Sequence, residues 1–153
     1  MRISLSDYHP DTCMNNELWS YADHFSEDEQ WGDPNKIRVH LVYWLDAIRK
    51  FVGLPLFLHC GYEQSGHASN SWHYKGCAVD FHVDGIKPLD FMFAALMFPF
   101  NGIGFYPYWN NPGFHLDMRN LSDDGRRDVW YRDKKGTYHN INHTNACVII
   151  NMI

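Results

Sequence analysis

Two short segments, Cys77–Val83 and Phe114–Met118, alternate in a way that suits only strands lying between a core and a cleft. In an extended backbone, successive side chains point to opposite faces. Cys77, Val79 and Phe81 then share one face of the first segment, and Ala78, Asp80 and His82 share the other. In the second, Phe114 and Leu116 face the core while His115 and Asp117 face away. A loop containing Ser71, Trp72, His73 and Gly76 leads into the first strand, with His73 seven residues before Asp80. His73, Asp80 and His115 thus offer two imidazoles and a carboxylate. That is a ligand set for one catalytic zinc per chain, with the fourth position left to water. The mixed nitrogen and oxygen set also accepts other divalent ions.

A chain of 153 residues is long enough for a single domain, 1–153, with a sizeable core. Aromatic residues make up 16%, enough for some Trp and Tyr to line a cleft. The net charge of -5 gives no basic footprint and argues against nucleic acid as a partner. No run of eighteen apolar residues is present, so no membrane span is expected. The N-terminus lacks an apolar signal region, so synthesis without a secretory signal is expected. Cys13, Cys60, Cys77 and Cys147 form no Cys-x-x-Cys pair. Free, buried thiols are the expectation, with the pairing otherwise open.

Residues 1–32 read as a wrapping segment with one short helix near Asn16–Phe25 and no chemistry. Asp33 and Pro34 supply a cap and a first helical residue, which predicts a helix over 34–51. Its apolar face is Ile37, Leu41, Trp44, Leu45, Ile48 and Phe51, and it ends at Gly53. A buried strand is expected over 54–60, a loop over 61–70, and a well-buried helix over 88–98. A strand over 101–106 has glycines where a neighbour approaches closely. Residues 107–112 form an aromatic loop. A hairpin joins 129–132 to 137–139 around Asp133 and Gly136, and 146–150 read as a last strand or docking tail.

The pattern Ser71-x-His73-x-x-Gly76-x-Ala78-x-Asp80 resembles the first zinc motif of the D-Ala-D-Ala carboxypeptidase-like zinc peptidases. Gly102 to Pro107, followed by Phe114-His115-Leu116-Asp117, resembles the second motif in the small phage endolysin-like branch. Leu58 to Tyr62 sits where that family has a Ser-Gly-Tyr-Arg segment, and the similar region runs over about 34–132. The resemblance implies an α+β fold with a central antiparallel sheet and packed helices, as in hedgehog-type domains and DD-peptidases. It implies zinc-dependent hydrolysis of peptidoglycan stem peptides or cross-links, with His73, Asp80 and His115 as metal ligands. A monomer acting at the cell wall or periplasm, after release by a phage lysis system, fits the same picture.

Glu63 stands where the family has an arginine associated with the substrate carboxylate, which favours an endopeptidase over a carboxypeptidase. Some relatives have a glutamate base three residues before the last ligand; that position is Pro112. Asp117 is the nearest candidate base, with a carboxylate that orients a histidine ligand as the equal alternative. His82 is a candidate for steadying the oxyanion, against a plain strand histidine. Ser71, Tyr106 and Trp109 are candidate substrate contacts, against a loop end and ordinary core or surface aromatics. A different class of function remains open: a non-catalytic zinc-containing peptidoglycan-binding module, or a structural part of a phage tail.

Overall fold

In the computed structural model, which describes residues 3–146, one six-stranded sheet carries three helices. The strands are β1 (Phe57–Cys60), β2 (Ala78–His82), β3 (Gly102–Tyr106), β4 (Gly113–Asp117), β5 (Asp128–Arg132) and β6 (Tyr138–Asn140). Their order across the sheet is β1-β2-β4-β3-β5-β6. Every pairing is antiparallel except β3 with β5, which is parallel. The expected α+β class holds, with this one parallel pair added to an otherwise antiparallel sheet. The helices are α1 (Asn16–Trp19), α2 (Val39–Val52) and α3 (Pro88–Leu96). No helix of the described residues is long and apolar enough to cross a membrane.

The period-two alternation of β2 and β4 does what it predicts. Val79, Phe81, Phe114 and Leu116 are buried against the helices, and Phe91 of α3 packs its ring 4.4 Å from that of Phe114. From α2, Leu41, Leu45 and Ile48 enter the same core.

Three expectations need correction. The first is the start of the long helix. Asp33 caps and Pro34 opens only a 3-10 turn, Pro34–Lys36, and α2 begins at Val39. The chain between them is extended because it pairs elsewhere: Ile37 O accepts from Met14 N–H, and Arg38 N–H donates to Gly76 O. That pairing outweighs a favourable local start signal. The second concerns burial at and after the end of α2. Phe51 is 56% exposed rather than core, and β1 is an edge strand with alternate burial in which Phe57 is exposed. The third concerns α3, which is apolar on all sides yet buries only one. Phe91, Met92, Ala94 and Ala95 are inside, while Phe93 and Met97 are 60% and 69% exposed.

The N-terminal segment has one short helix, α1, as expected, and it also fixes part of the site. Trp31, fully buried, accepts at its carbonyl the N–H of Tyr62. This pins Gly61 just after β1. The expected strand or tail at 146–150 lies, beyond Ala146, outside the described residues. The described cysteines Cys13, Cys60 and Cys77 are all free thiols.

Candidate metal centre

Register brings the candidate ligands together. Asp80 of β2 lies directly opposite His115 of β4, and His115 lies opposite Gly104 of β3. His73 arrives from a 3-10 turn, Trp72–Lys75, that precedes β2. Ser71 caps this turn, its Oγ accepting the His73 N–H, and Gly76 ends it in the left-handed region at φ 68°. A Cβ at Gly76 would fall 1.9 Å from Lys36 O, so only glycine lets the turn pass the N-terminal segment. The ligating atoms of His73, Asp80 and His115 all lie within 4.8 Å of one another, and all three residues are buried.

Each histidine is turned by a partner on its far nitrogen. His73 Nδ1 donates to Gly61 O at 2.6 Å, which leaves Nε2 facing Asp80 Oδ2 at 3.4 Å. His115 Nε2 lies 2.8 Å from Asp117 Oδ2, and its Nδ1 lies 2.8 Å from Asp80 Oδ1. A hydrogen bond that fixes the remote nitrogen sets the ring orientation a ligand needs. Two imidazoles and a carboxylate with these facing atoms fit a tetrahedral zinc that keeps one open position.

The charges form a chain. Asp80, His115, Asp117, Arg119 and Asp128 follow one another by ion pairs, with Arg119 held 2.6 Å from Asp117 and 2.7 Å from Asp128. Burial pushes the Asp80 carboxyl up, but hydrogen bonds from His115 and His73 outweigh it and hold the pKa well below the usual range. Burial lowers His115, but its bonds to Asp117 and Asp80 raise it to about 9. With His115 protonated, three carboxylates oppose two cations and leave one negative charge. A divalent ion that displaces the His115 proton brings the set to neutrality.

Of the two roles open to Asp117, its surroundings serve the orienting one. Its carboxylate is fully buried, and it holds both His115 and Arg119. Gly102 makes room for it, since a Cβ there would sit 2.3 Å from the Asp117 oxygens. His82 shares the strand face but stands apart from the ligand cluster. Its Nδ1 is 2.8 Å from His59 Nε2 in a nearly coplanar, edge-to-edge pair, and its ring lies 4.9 Å from that of Phe57.

An open cleft of about 620 Å³ lies over the ligands, lined by Ser71, His73, Tyr106, His115 and Trp130 among others. Tyr106, at the edge of this cleft, stacks on Trp109 at 4.1 Å and 8°, and Trp109 lines the neighbouring hollow rather than the cleft itself. Trp130 packs over Gly104 and lies 5.1 Å from the His115 ring. Cys60, His67 and His73 form a second group of closely spaced donors. The His67 and His73 rings, however, stack at 4.3 Å and 12°. Imidazole lone pairs lie in the ring plane, so two parallel rings do not converge on one ion.

Arg119 and Trp130 border the site although no sequence motif marks them, and Gly61 lies in the Leu58–Tyr62 segment without its role being marked. Arg119 had a signal: it continues the alternation His115, Asp117 one step past β4. Gly61 acts through its carbonyl, which no side-chain pattern reveals.

Residues 60–123 match the family described as Peptidoglycan L,D-endopeptidase MepK. Proteins of that name from Escherichia coli K12 and from Shigella flexneri are each 44% identical over 45 residues, covering 29% of this chain and 25% of the relative. The matched stretch thus spans about a quarter of the length of those relatives. Residues 60–123 include both motifs, so the similarity to this peptidoglycan peptidase family falls on the stretch that carries His73, Asp80 and His115.

Proposed function

We propose that this chain is a zinc-dependent peptidase of peptidoglycan, cutting stem peptides or cross-links as an endopeptidase. The observation that carries the reading is the convergence of His73 Nε2, Asp80 and His115 Nδ1 at the foot of an open cleft. A zinc ion held there would polarise an amide carbonyl and bring the pKa of a bound water to about 7. The chain's own residues hold the geometry. Gly61 O and Asp117 keep the two imidazoles turned. Arg119 keeps Asp117 ionised and in place. Tyr106 and Trp109 offer a flat wall for the peptide, with Ser71 at the cleft.

The preference for internal bonds has two supports. Glu63, a carboxylate where an arginine would bind a terminal carboxylate, repels one instead. The similar proteins are named as L,D-endopeptidases. The 1–153 single-domain reading, a monomer with one zinc, action at the wall or periplasm, and a role in phage lysis complete the proposal. The last rests on the resemblance to the small endolysin-like branch.

Digestion of stem peptides and cross-linked dimers, followed by mass spectrometry, tests it. The expected result is an internal cut by the zinc-loaded protein, abolished by a chelator and by His115→Ala. Release of a terminal D-Ala alone would replace the endopeptidase with a carboxypeptidase. Intact substrates beside one bound zinc per chain would sink the hydrolase reading and leave the binding module.

A further inference from the structure

The hairpin of β5 and β6 borders a second hollow that the metal centre does not use. We propose that this hollow is a subsite for a free carboxylate of the bound peptide, with Arg132, Lys134 and Lys135 as its cations. The inference rests on the peptidase reading and names where that enzyme would recognise its substrate's charge.

The hollow measures about 240 Å³ and lies between Tyr106, Tyr108 and Trp109 on one side and residues 132–136 on the other. Tyr106 lines both this hollow and the metal cleft, so the two are neighbours across one ring. A peptide that follows the Tyr106–Trp109 wall passes from one to the other.

The local charge is reversed from that of the chain. Net charge is -5 overall, yet the hairpin presents three cations. Of its two carboxylates, Asp128 is paired with Arg119 at 2.7 Å and Asp133 is committed to its own turn. Oδ1 accepts the N–H groups of Lys135 and Thr137, each at 2.9 Å, and Oδ2 faces His139 Nε2 at 2.8 Å. Arg132 is steadied by a bond from Nε to Gly136 O at 3.2 Å and lies over the Tyr138 ring. None of the three cations is ion-paired among the described residues. Clustered, unpaired cations beside an aromatic wall take an anion carried on a short apolar group. Amide, hydroxyl or neutral sugar ligands would leave the positive charge unmatched.

Topology adds a second point. Glu63 follows β1, at one edge of the sheet, whereas the cations lie on β5 and the β5–β6 turn, at the other edge. The ligands on β2 and β4 sit between them. A carboxylate is therefore recognised on the side away from Glu63 and beyond the aromatic wall, removed from the scissile bond. That placement suits an internal cut.

Titration calorimetry on the zinc-loaded protein tests the subsite without needing turnover. Three ligands are used: a synthetic stem tetrapeptide, its C-terminal amide, and its amide at the internal D-glutamyl carboxyl. The expected result is that one amide binds about tenfold more weakly than the free peptide, which names the carboxylate. Lys134→Gln/Lys135→Gln should then bind all three ligands at that weaker level while keeping its zinc. The difference should shrink in about 0.5 M salt. Equal binding of all three ligands by wild type, no binding at all, or an undiminished difference in the double variant would overturn the proposal. A protein that binds in this way but cuts nothing would sink the peptidase reading and leave the subsite standing.

Discussion

Two adjacent rows of residues cross all six strands, one register step apart, and they have opposite jobs. One row runs Cys60, Asp80, His115, Gly104, Trp130, Asn140. The other runs Leu58, Phe81, Phe114, Phe105, Tyr131, His139. The first holds two of the three candidate ligands, Asp80 and His115, and the ring of Trp130 that packs beside His115. The second is a sheet of aromatic contacts, with Phe114 within 5.9 Å of Phe81, 5.5 Å of Phe105 and 4.4 Å of Phe91, centroid to centroid. The comparison shows how rigidity and chemistry are divided. The aromatic row fixes backbone register by non-directional packing. The ligand row depends on that register, because Asp80 and His115 meet only if β2 and β4 pair as they do.

The two rows should therefore fail differently. Asp80→Ala or His115→Ala should lose zinc and reduce hydrolysis to background, while far-ultraviolet circular dichroism stays native; metal analysis and the peptide digest report this. Phe114→Ala should cost about 3–5 kcal/mol of stability yet still bind zinc below its melting temperature. Urea unfolding and zinc content, measured together, check the pair. If Phe114→Ala spared stability but lost zinc, the division between the rows would be wrong.

Asp117 probes the layer behind the ligands. Asp117→Asn should weaken zinc about 10- to 100-fold without removing any ligand. A competition assay with a chromophoric chelator measures it. An unchanged affinity would show that His115 is held by packing, for instance by Trp130, rather than by its carboxylate partner.

Proton linkage gives the next effect. The metal-free His115 titrates at about 9, above the ordinary imidazole value, because Asp117 and Asp80 outweigh its burial. A raised pKa adds stability to the metal-free fold that is fully present below the unfolded value of about 6.5 and is lost as pH rises through about 9. Zinc takes the place of that proton, so its affinity has the opposite sign and should rise by up to about tenfold per pH unit below 9. Calorimetry in buffers of differing ionisation heat should find about one proton released per zinc near pH 7.

Much of this arrangement is legible in the sequence. Alternation alone assigns Val79, Phe81, Phe114 and Leu116 to the core and Asp80, His115 and Asp117 to the other face, because period two is a local property. What is not legible depends on partners distant in sequence. The helix start at Asp33 fails because Met14 and Gly76 claim the backbone of residues 37 and 38. The orientation of His73 rests on a backbone carbonyl, Gly61 O, placed by Trp31. The sequence leaves Asp117 balanced between base and orienting carboxylate, and the sharing of its oxygens by His115 and Arg119 is a contact that no local pattern reveals.

Ser71 gives the smallest and finest test. It belongs to the ligand side but acts, in this fold, through the backbone: its Oγ accepts the His73 N–H at 3.3 Å, an N-cap on a single 3-10 turn. It also lines the cleft, so the substrate-binding role is open to it. The two roles predict different numbers. If Ser71 is a cap, Ser71→Ala costs about 0.5–1 kcal/mol of stability and loosens His73 slightly, so zinc affinity falls a few-fold while KM holds. If Ser71 touches the peptide, the same change weakens binding instead: KM rises with the melting temperature and zinc affinity unchanged. The long 3.3 Å bond and the half-buried site favour the cap with a modest effect. A rise in KM alone would transfer Ser71 from the scaffold that presents His73 to the surface that holds the peptide.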